Sequence, residues 1–174
     1  SGRVFVYDDG GAHAGMTAAE LLARGGAEVE LVSPERFFAP DMGGMNHVPY
    51  MRAFQKTGTR VTINARVVGL RLEGNGLVAT LGSDYAPDWC DERQVDRVVV
   101  EHGTAANAGL YFELRPLSRN LGEVDYRALT SGGGQVFPER NPDRTFVLYR
   151  IGDAVAARNI HAGIYDALRF GIRV

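Results

Sequence analysis

The chain has 174 residues, with 19 Lys and Arg against 21 Asp and Glu and a formal net charge of −2. This balance lacks the basic excess that draws a protein to nucleic acid or to an anionic membrane surface. A single cysteine, Cys90, excludes a disulfide framework or a four-cysteine cluster within the chain, and the sequence has no apolar run as long as a membrane span. A reducing, cytoplasmic setting is expected.

The first third of the chain alternates between strand and helix patterns. Short apolar runs and helical spacing predict five elements in the order β-α-β-α-β, over 3–7, 13–24, 28–33, 46–57 and 60–64. Asn46 is the expected N-cap of the second helix, and Gly58 is its expected terminator. This order predicts a parallel sheet with crossover helices.

The pattern then changes to alternating apolar and polar residues. Segments 67–72 and 77–81 flank Gly74-Asn75-Gly76 and predict a hairpin, and 89–94 predicts the third strand of a meander. The apolar segment 95–101 predicts a return to the core sheet. The predicted fold class is therefore α/β: a Rossmann-like FAD- or NAD(P)-binding fold, with a parallel sheet and an antiparallel three-stranded meander.

The last part of the chain predicts one more strand, over 145–151, and a final helix, over 159–170. Ile160, Ile164 and Leu168 form an apolar stripe on that helix. The stripe is predicted to be the face through which the helix packs.

The glycine-rich segment between the first strand and the first helix resembles a dinucleotide-binding turn that has lost part of its fingerprint. In one register the motif is Gly10-x-Ala12-x-x-Gly15, and the methyl group of Ala12 crowds the position where a glycine lets the pyrophosphate approach. In the other register the motif is Asp8-x-Gly10-x-x-His13, and two glycines are replaced.

Charge also works against a nucleotide at this turn, because Asp8 and Asp9 stand where the pyrophosphate would arrive. A carboxylate about 6 Å from a phosphate charge costs roughly 3 kcal/mol at an effective dielectric of about 20. A helix N-terminus stabilises an anion by at most about 2 kcal/mol. The sequence therefore favours a domain that binds a dinucleotide weakly or keeps only the shape of a nucleotide-binding fold.

The end of the second strand leaves one alternative open. An NAD site carries an acid there for the ribose hydroxyls, and this chain has Ser33 instead, followed by Arg36. Arg36 is either a solvated loop residue or the partner of a 2′-phosphate, as in NADP sites.

Three landmarks carry a family resemblance: the turn at 10–15, Glu101-His102-Gly103-Thr104 after the meander, and Ile151-Gly152-Asp153 before the last helix. Together with segments 117–126 and 150–161, they resemble the C-terminal region of the multidomain NADH:flavin oxidoreductase family. We mean the branch with trimethylamine dehydrogenase, dienoyl-CoA reductase and N-methylproline demethylases. The resemblance spans nearly the whole chain.

The resemblance implies more protein than this sequence contains. Family members have an N-terminal barrel that holds FMN and a cysteine-bound [4Fe–4S] cluster, and FAD, ADP or NAD(P)H can bind further along the chain. The resemblance places an NAD(P)-binding-like domain at 1–150 and assigns 151–174 to the adjacent FAD- or ADP-binding domain, where Asp153 would accept a hydrogen bond from a ribose or ribityl hydroxyl. This segment is expected to bind no cofactor tightly by itself.

Three readings of function follow. The first is an accessory domain of a flavin-dependent amine dehydrogenase or N-demethylase; the second is an NADPH-binding electron-input domain; the third is a docking module for an electron-transfer flavoprotein. No catalytic residue and no metal ligand is predicted. The candidate cofactor-binding residues are Gly10, Gly11, Ala12, His13, Gly15, Ser33, Arg36, Gly103, Gly152 and Asp153.

Overall fold

A computed structural model describes residues 2–136 and 139–172. The chain divides into two compact units, Ser1–Gly103 and Thr104–Val174, and each is described by itself. The strands are β1 (Arg3–Asp8), β2 (Glu28–Val32), β3 (Arg60–Thr62), β4 (Arg66–Glu73), β5 (Gly76–Gly82), β6 (Cys90–Val95) and β7 (Arg97–Glu101). The helices are α1 (His13–Arg24), α2 (Gly44–Thr57), α3 (Gly109–Leu114), α4 (Tyr126–Ser131) and α5 (Ile160–Gly171).

The first unit contains two sheets. Strands β3-β2-β1-β7 form a parallel sheet in that order, and β4-β5-β6 form a separate antiparallel meander. The predicted α/β fold with a parallel sheet and a three-stranded meander is confirmed. Strand β1 lies inside the sheet and buries five of its six residues, which explains its apolar run.

Both faces of the parallel sheet are covered. On one face, Val4 and Val6 of β1 pack with Met16 of α1 and Phe54 of α2. On the other face, Phe5 and Tyr7 join a cluster that includes buried residues of the meander, among them Ala79, Leu81 and Val95. Alternation along β1 therefore sends neighbouring side chains into two separate cores.

The expected cap of α2 was wrong. The helix begins at Gly44 with Gly43 as N-cap, and the Asn46 N–H donates to the Gly43 carbonyl at 2.8 Å. That bond already belongs to the first turn, so Asn46 lies inside the helix. Gly58 ends the helix in the left-handed conformation, as predicted.

The predicted strand over 145–151 is not present as a strand in the second unit. Its polar backbone groups bond to a loop instead: the Leu148 N–H donates to the Asn120 side-chain oxygen at 2.9 Å, and the Leu148 carbonyl accepts from the Asn120 amide. The Phe146 carbonyl accepts from the Arg119 N–H. A strand requires a neighbouring strand, and none of the described residues of this unit supplies one.

The predicted packing face of α5 was also wrong. Ile160, Ile164 and Leu168 are 75%, 62% and 54% exposed. The inward face is held by polar and aromatic anchors: Asp166 accepts from the Gly152 N–H at 3.0 Å, and Phe170 packs on Tyr149 with ring centroids 5.1 Å apart. These contacts fix the rotation of the helix, so the apolar stripe faces away from its own unit.

Candidate functional site

The glycine-rich turn joins β1 to α1 at the carboxyl edge of the parallel sheet. Gly11 has a φ of 68°, a left-handed conformation that glycine adopts without strain. Gly15 lies against Asp8, and a Cβ on Gly15 would stand 2.5 Å from the Asp8 Cγ. Gly15 thus provides the close contact between helix and strand that the last glycine of the fingerprint provides. The geometry matches the register Gly10-x-Ala12-x-x-Gly15.

The other two predicted residues of the turn flank the start of α1. Ala12 is the N-cap and makes no side-chain capping bond. His13 is exposed, and its Nδ1 lies 3.2 Å from the Tyr50 hydroxyl. The described contacts of His13 are therefore with α2.

Two acidic side chains lie against the glycine-rich turn, one from β1 and one from β7. The parallel register places Asp8 of β1 beside Glu101 of β7. Asp8 has no solvent exposure, and its Oδ1 accepts from the Gly11 N–H at 3.1 Å. Glu101 Oε1 accepts from the Gly103 N–H at 3.0 Å.

Glu101 also fills the space that Gly10 leaves free. A Cβ on Gly10 would stand 1.7 Å from Glu101 Oε2. In a nucleotide-binding turn, the first glycine permits the tight turn and the second, which is Ala12 here, lets the pyrophosphate approach. At Gly10, the space of the missing side chain holds a carboxylate from the neighbouring strand.

The environment of Asp8 disfavours its charged form. The pKa of the Asp8 carboxyl is raised to about 6. Burial is the main cause, and Glu101 adds to it through hydrogen bonding and its negative charge, while the Gly11 N–H acts in the opposite direction. Asp8 Oδ2 and Glu101 Oε2 are buried, and neither has a donor among the described residues. Two acids paired across neighbouring strands thus each have one buried oxygen that lacks a donor, and ionisation is disfavoured at Asp8.

The next residue along the chain is paired rather than free. Asp9 Oδ2 lies 2.6 Å from His102 Nδ1. Asp9 is therefore held toward the loop that follows β7. The carboxylates of Asp8, Asp9 and Glu101 all gather at this edge of the sheet.

The residues after β2 differ in their accessibility. Ser33 is fully buried, and its hydroxyl oxygen accepts from the Glu35 N–H at 3.4 Å. Arg36 is exposed, and no ion pair or hydrogen bond joins it to another described residue. Of these two candidates, only Arg36 has a side chain open to a ligand.

The remaining candidate residues lie in a turn of the second unit. Gly152 and Asp153 form a short 3₁₀ turn, and Gly152 has a φ of 57°. Gly152 lies against Gly163 of α5, so its missing side chain permits a close contact between turn and helix. Asp153 is exposed, while Asp166 of α5 pairs with Arg158.

Glu101 was not predicted from the sequence as a residue of the turn. Gly103 was proposed, yet its N–H serves to hold Glu101. A charged residue at the carboxyl end of a core strand could have indicated this position, because parallel strands end at one edge of the sheet.

Across residues 2–136 and 139–172, no three His, Cys, Asp or Glu side chains are grouped as a metal site. No helix in the same part of the chain has the length and apolarity to cross a membrane.

Comparison with known proteins identifies the chain's relatives. No family model matches it. It is 50% identical over 167 residues to a protein of Rhizobium meliloti (strain 1021) named "Probable N-methylproline demethylase". It is 38% identical over 170 residues to the N,N-dimethylglycine/sarcosine dehydrogenase of Chromohalobacter salexigens. Each match covers 96% of this chain and 24% of the relative.

A solved structure shows the same fold. Histamine dehydrogenase from Rhizobium sp. 4-9 matches 97% of this chain with a TM-score of 0.66 and 19% sequence identity, over 22% of its own length. The chain therefore spans about a quarter of the length of the curated relatives it matches. The resemblance identified from the sequence is confirmed.

Proposed function

Because the chain is homologous to a C-terminal region of larger multidomain flavoenzymes, we propose that it is an accessory domain of a flavin-dependent N-demethylase or amine dehydrogenase. Its role in that enzyme is structural, with weak nucleotide binding at most. The observation that carries this proposal is the closed glycine turn, where Glu101 occupies the space beside Gly10.

Several features of the turn oppose a bound pyrophosphate. The Gly11 N–H already donates to Asp8, and the Gly103 N–H already donates to Glu101. A phosphate group would have to displace a carboxylate and then lie beside the negative charges that remain. Nearby charges of like sign repel by roughly 3 kcal/mol at 6 Å and an effective dielectric of about 20.

The wild-type chain is expected to bind NADH and NADPH with dissociation constants no tighter than about millimolar, near −4 kcal/mol. The double variant Glu101→Ala with Ala12→Gly removes the carboxylate that lies beside Gly10 and one methyl group from the approach path. It should tighten binding by up to about two decades, with NADPH favoured because Arg36 is exposed and unpaired. Isothermal titration calorimetry with both nucleotides measures the change.

The matched control for this titration is Asp88→Asn, which removes an exposed carboxylate from a loop of the meander. It should leave both affinities unchanged. Micromolar binding of either nucleotide by the wild type would overturn the interpretation of this chain as an accessory domain. The alternative, an electron-input domain in which NADPH delivers hydride to a flavin, would then replace it.

We further propose that 151–174 completes a neighbouring FAD- or ADP-binding domain of the full-length protein, with an FMN-holding barrel and an iron–sulfur cluster in the preceding part. Two features of the second unit support this. The apolar stripe of α5 is exposed, and segment 145–151 has strand-forming residues without a partner strand. Both features fit a chain whose neighbouring sheet is supplied by another part of the polypeptide.

The isolated 174-residue chain is accordingly expected to purify without flavin. Gly152 and Asp153 would contribute only part of a flavin site, and a half site loses most of the contacts that hold a cofactor. The measurement is the absorbance of the purified chain in the flavin region. It is compared with the absorbance of a longer protein that includes the preceding domains. A yellow preparation of the isolated chain with stoichiometric FAD would contradict the domain division.

A further inference from the structure

Asp8 and Glu101 form a symmetrical arrangement at the ends of β1 and β7. Each carboxyl group has one oxygen that accepts from a backbone N–H, Gly11 for Asp8 and Gly103 for Glu101. Each has a second oxygen that is buried and lacks a donor. The two residues are register partners on adjacent parallel strands, which places their side chains next to each other. Two carboxylate oxygens cannot bond to each other, because both are acceptors. A single proton between them satisfies both.

We propose that Asp8 and Glu101 share one proton, donated by Asp8, and that this proton holds Glu101 over Gly10 as a latch on the glycine turn. Loss of the proton to solvent leaves two like charges in contact. Glu101 then moves away from Gly10 and releases the Gly103 N–H. Glu101 covers Gly10 when the pair is protonated. When the pair is not protonated, Glu101 leaves Gly10, but both charged carboxylates remain at the turn and still oppose a pyrophosphate.

The geometry supports such a proton independently of the pKa. Asp8 is completely buried, and Glu101 Oε2 lies in the space that a side chain on Gly10 would need. A buried acceptor that lacks a donor is costly, and so is a buried pair of like charges. Burial and the neighbouring Glu101 also raise the pKa of Asp8 to about 6, which places the release of the proton near neutral pH.

The other ionisable groups around the pair do not replace the proton. On its own strand and after β7, Asp9 and His102 pair with each other. The first turn of α1 carries His13, which contacts Tyr50. The loop before α2 carries Asp41, whose backbone N–H donates to the Gly11 carbonyl. β2 ends in the uncharged Val32 and Ser33, and no described Lys or Arg bonds to either acid.

The test is a nuclear magnetic resonance titration of the full 174-residue chain, with ¹³C-labelled carboxyl groups and ¹⁵N-labelled glycines. The Asp8 carboxyl should titrate with a midpoint at least about one pH unit above that of an ordinary aspartate. The amide signals of Gly11 and Gly103, which bond to the two acids, should move with the same midpoint. A midpoint near the ordinary aspartate value, or glycine signals that do not follow Asp8, would overturn the latch.

Two variants separate a shared proton from general charge repulsion. Glu101→Gln removes the charge and supplies an amide donor, so the Asp8 midpoint should fall by about one pH unit or more and the Gly103 signal should stop titrating. Asp9→Asn removes an equal charge next to the pair and should shift the midpoint less. Equal shifts in the two variants would refute the shared proton. No nucleotide enters this experiment, so its outcome is independent of the proposed function.

Discussion

Replacing Asp8 with asparagine is expected to stabilise the unit Ser1–Gly103 at neutral pH by up to about 3 kcal/mol. The Asp8 carboxyl is fully buried, and its pKa is raised from 3.8 to about 6 in the folded protein. A shift of about two units corresponds to roughly 3 kcal/mol spent on ionising the group at neutral pH. Asparagine removes that cost, keeps an oxygen to accept from Gly11, and adds an N–H that can donate to Glu101.

The sign of the pH dependence follows from proton binding. Between about pH 4 and pH 6 the folded protein binds more protons at Asp8 than the unfolded chain does. The free energy of unfolding of the wild type should therefore fall as pH rises through this window and level off above it. In Asp8→Asn this contribution to the slope should disappear.

Denaturant unfolding at about pH 4 and about pH 7.5 measures both effects. The gap in unfolding free energy between Asp8→Asn and the wild type should be small at the lower pH and large at the higher one. Asp88→Asn, an exposed carboxylate in the same unit, should change little at either pH. If Asp8→Asn were less stable than the wild type at neutral pH, the ionised form of Asp8 would be the one that the fold favours.

The sequence was sufficient to predict most of the first unit because its elements are periodic. Strand β1 is continuous in apolar residues since both of its faces are covered, and the Gly74-Asn75-Gly76 turn fixes the register of the β4–β5 hairpin. Gly58 ends α2 by the same left-handed conformation that its position suggested. Local propensity and burial agree at each of these places.

The second unit was harder to predict because its pattern and its contacts disagree. The apolar stripe of α5 indicated an inward face, but the helix is oriented by Asp166 and Phe170, whose partners lie in the irregular segment before the helix. Periodicity reports which face of a helix is apolar and not what covers it. Segment 145–151 has strand propensity, yet its backbone is bonded by Asn120, a side chain in a distant loop.

The candidate site was predicted only in part for a similar reason. The turn and its excess of acids could be found from consecutive residues. The closure of the turn depends on Glu101, which lies 93 residues after Asp8 and comes beside it through the pairing of β1 with β7. Contacts made across a sheet become visible only once the order of the strands is known.

Gly15→Ala is expected to destabilise the unit Ser1–Gly103 by about 1–3 kcal/mol. The new Cβ would stand 2.5 Å from Asp8 Cγ and 2.7 Å from Asp8 Cβ, closer than side-chain carbons can approach. Asp8 is fully buried and bonded to the Gly11 N–H, so it has no free space to move into. Helix α1 must shift from the sheet, and this cost exceeds the gain of about 1 kcal/mol that alanine brings to a helix.

Gly44→Ala is the matched control, because Gly44 is the first residue of α2 and no heavy atom lies within 4 Å of its added Cβ. It should leave stability unchanged or raise it by less than about 1 kcal/mol. The free energy of unfolding of the two variants is measured with denaturant at one pH, and the dependence on denaturant concentration is compared with that of the wild type. The difference between the variants reports on the contact between α1 and β1. Equal stability of Gly15→Ala and the wild type would mean that the helix is not held against Asp8, and the glycine at this position would then have no packing role.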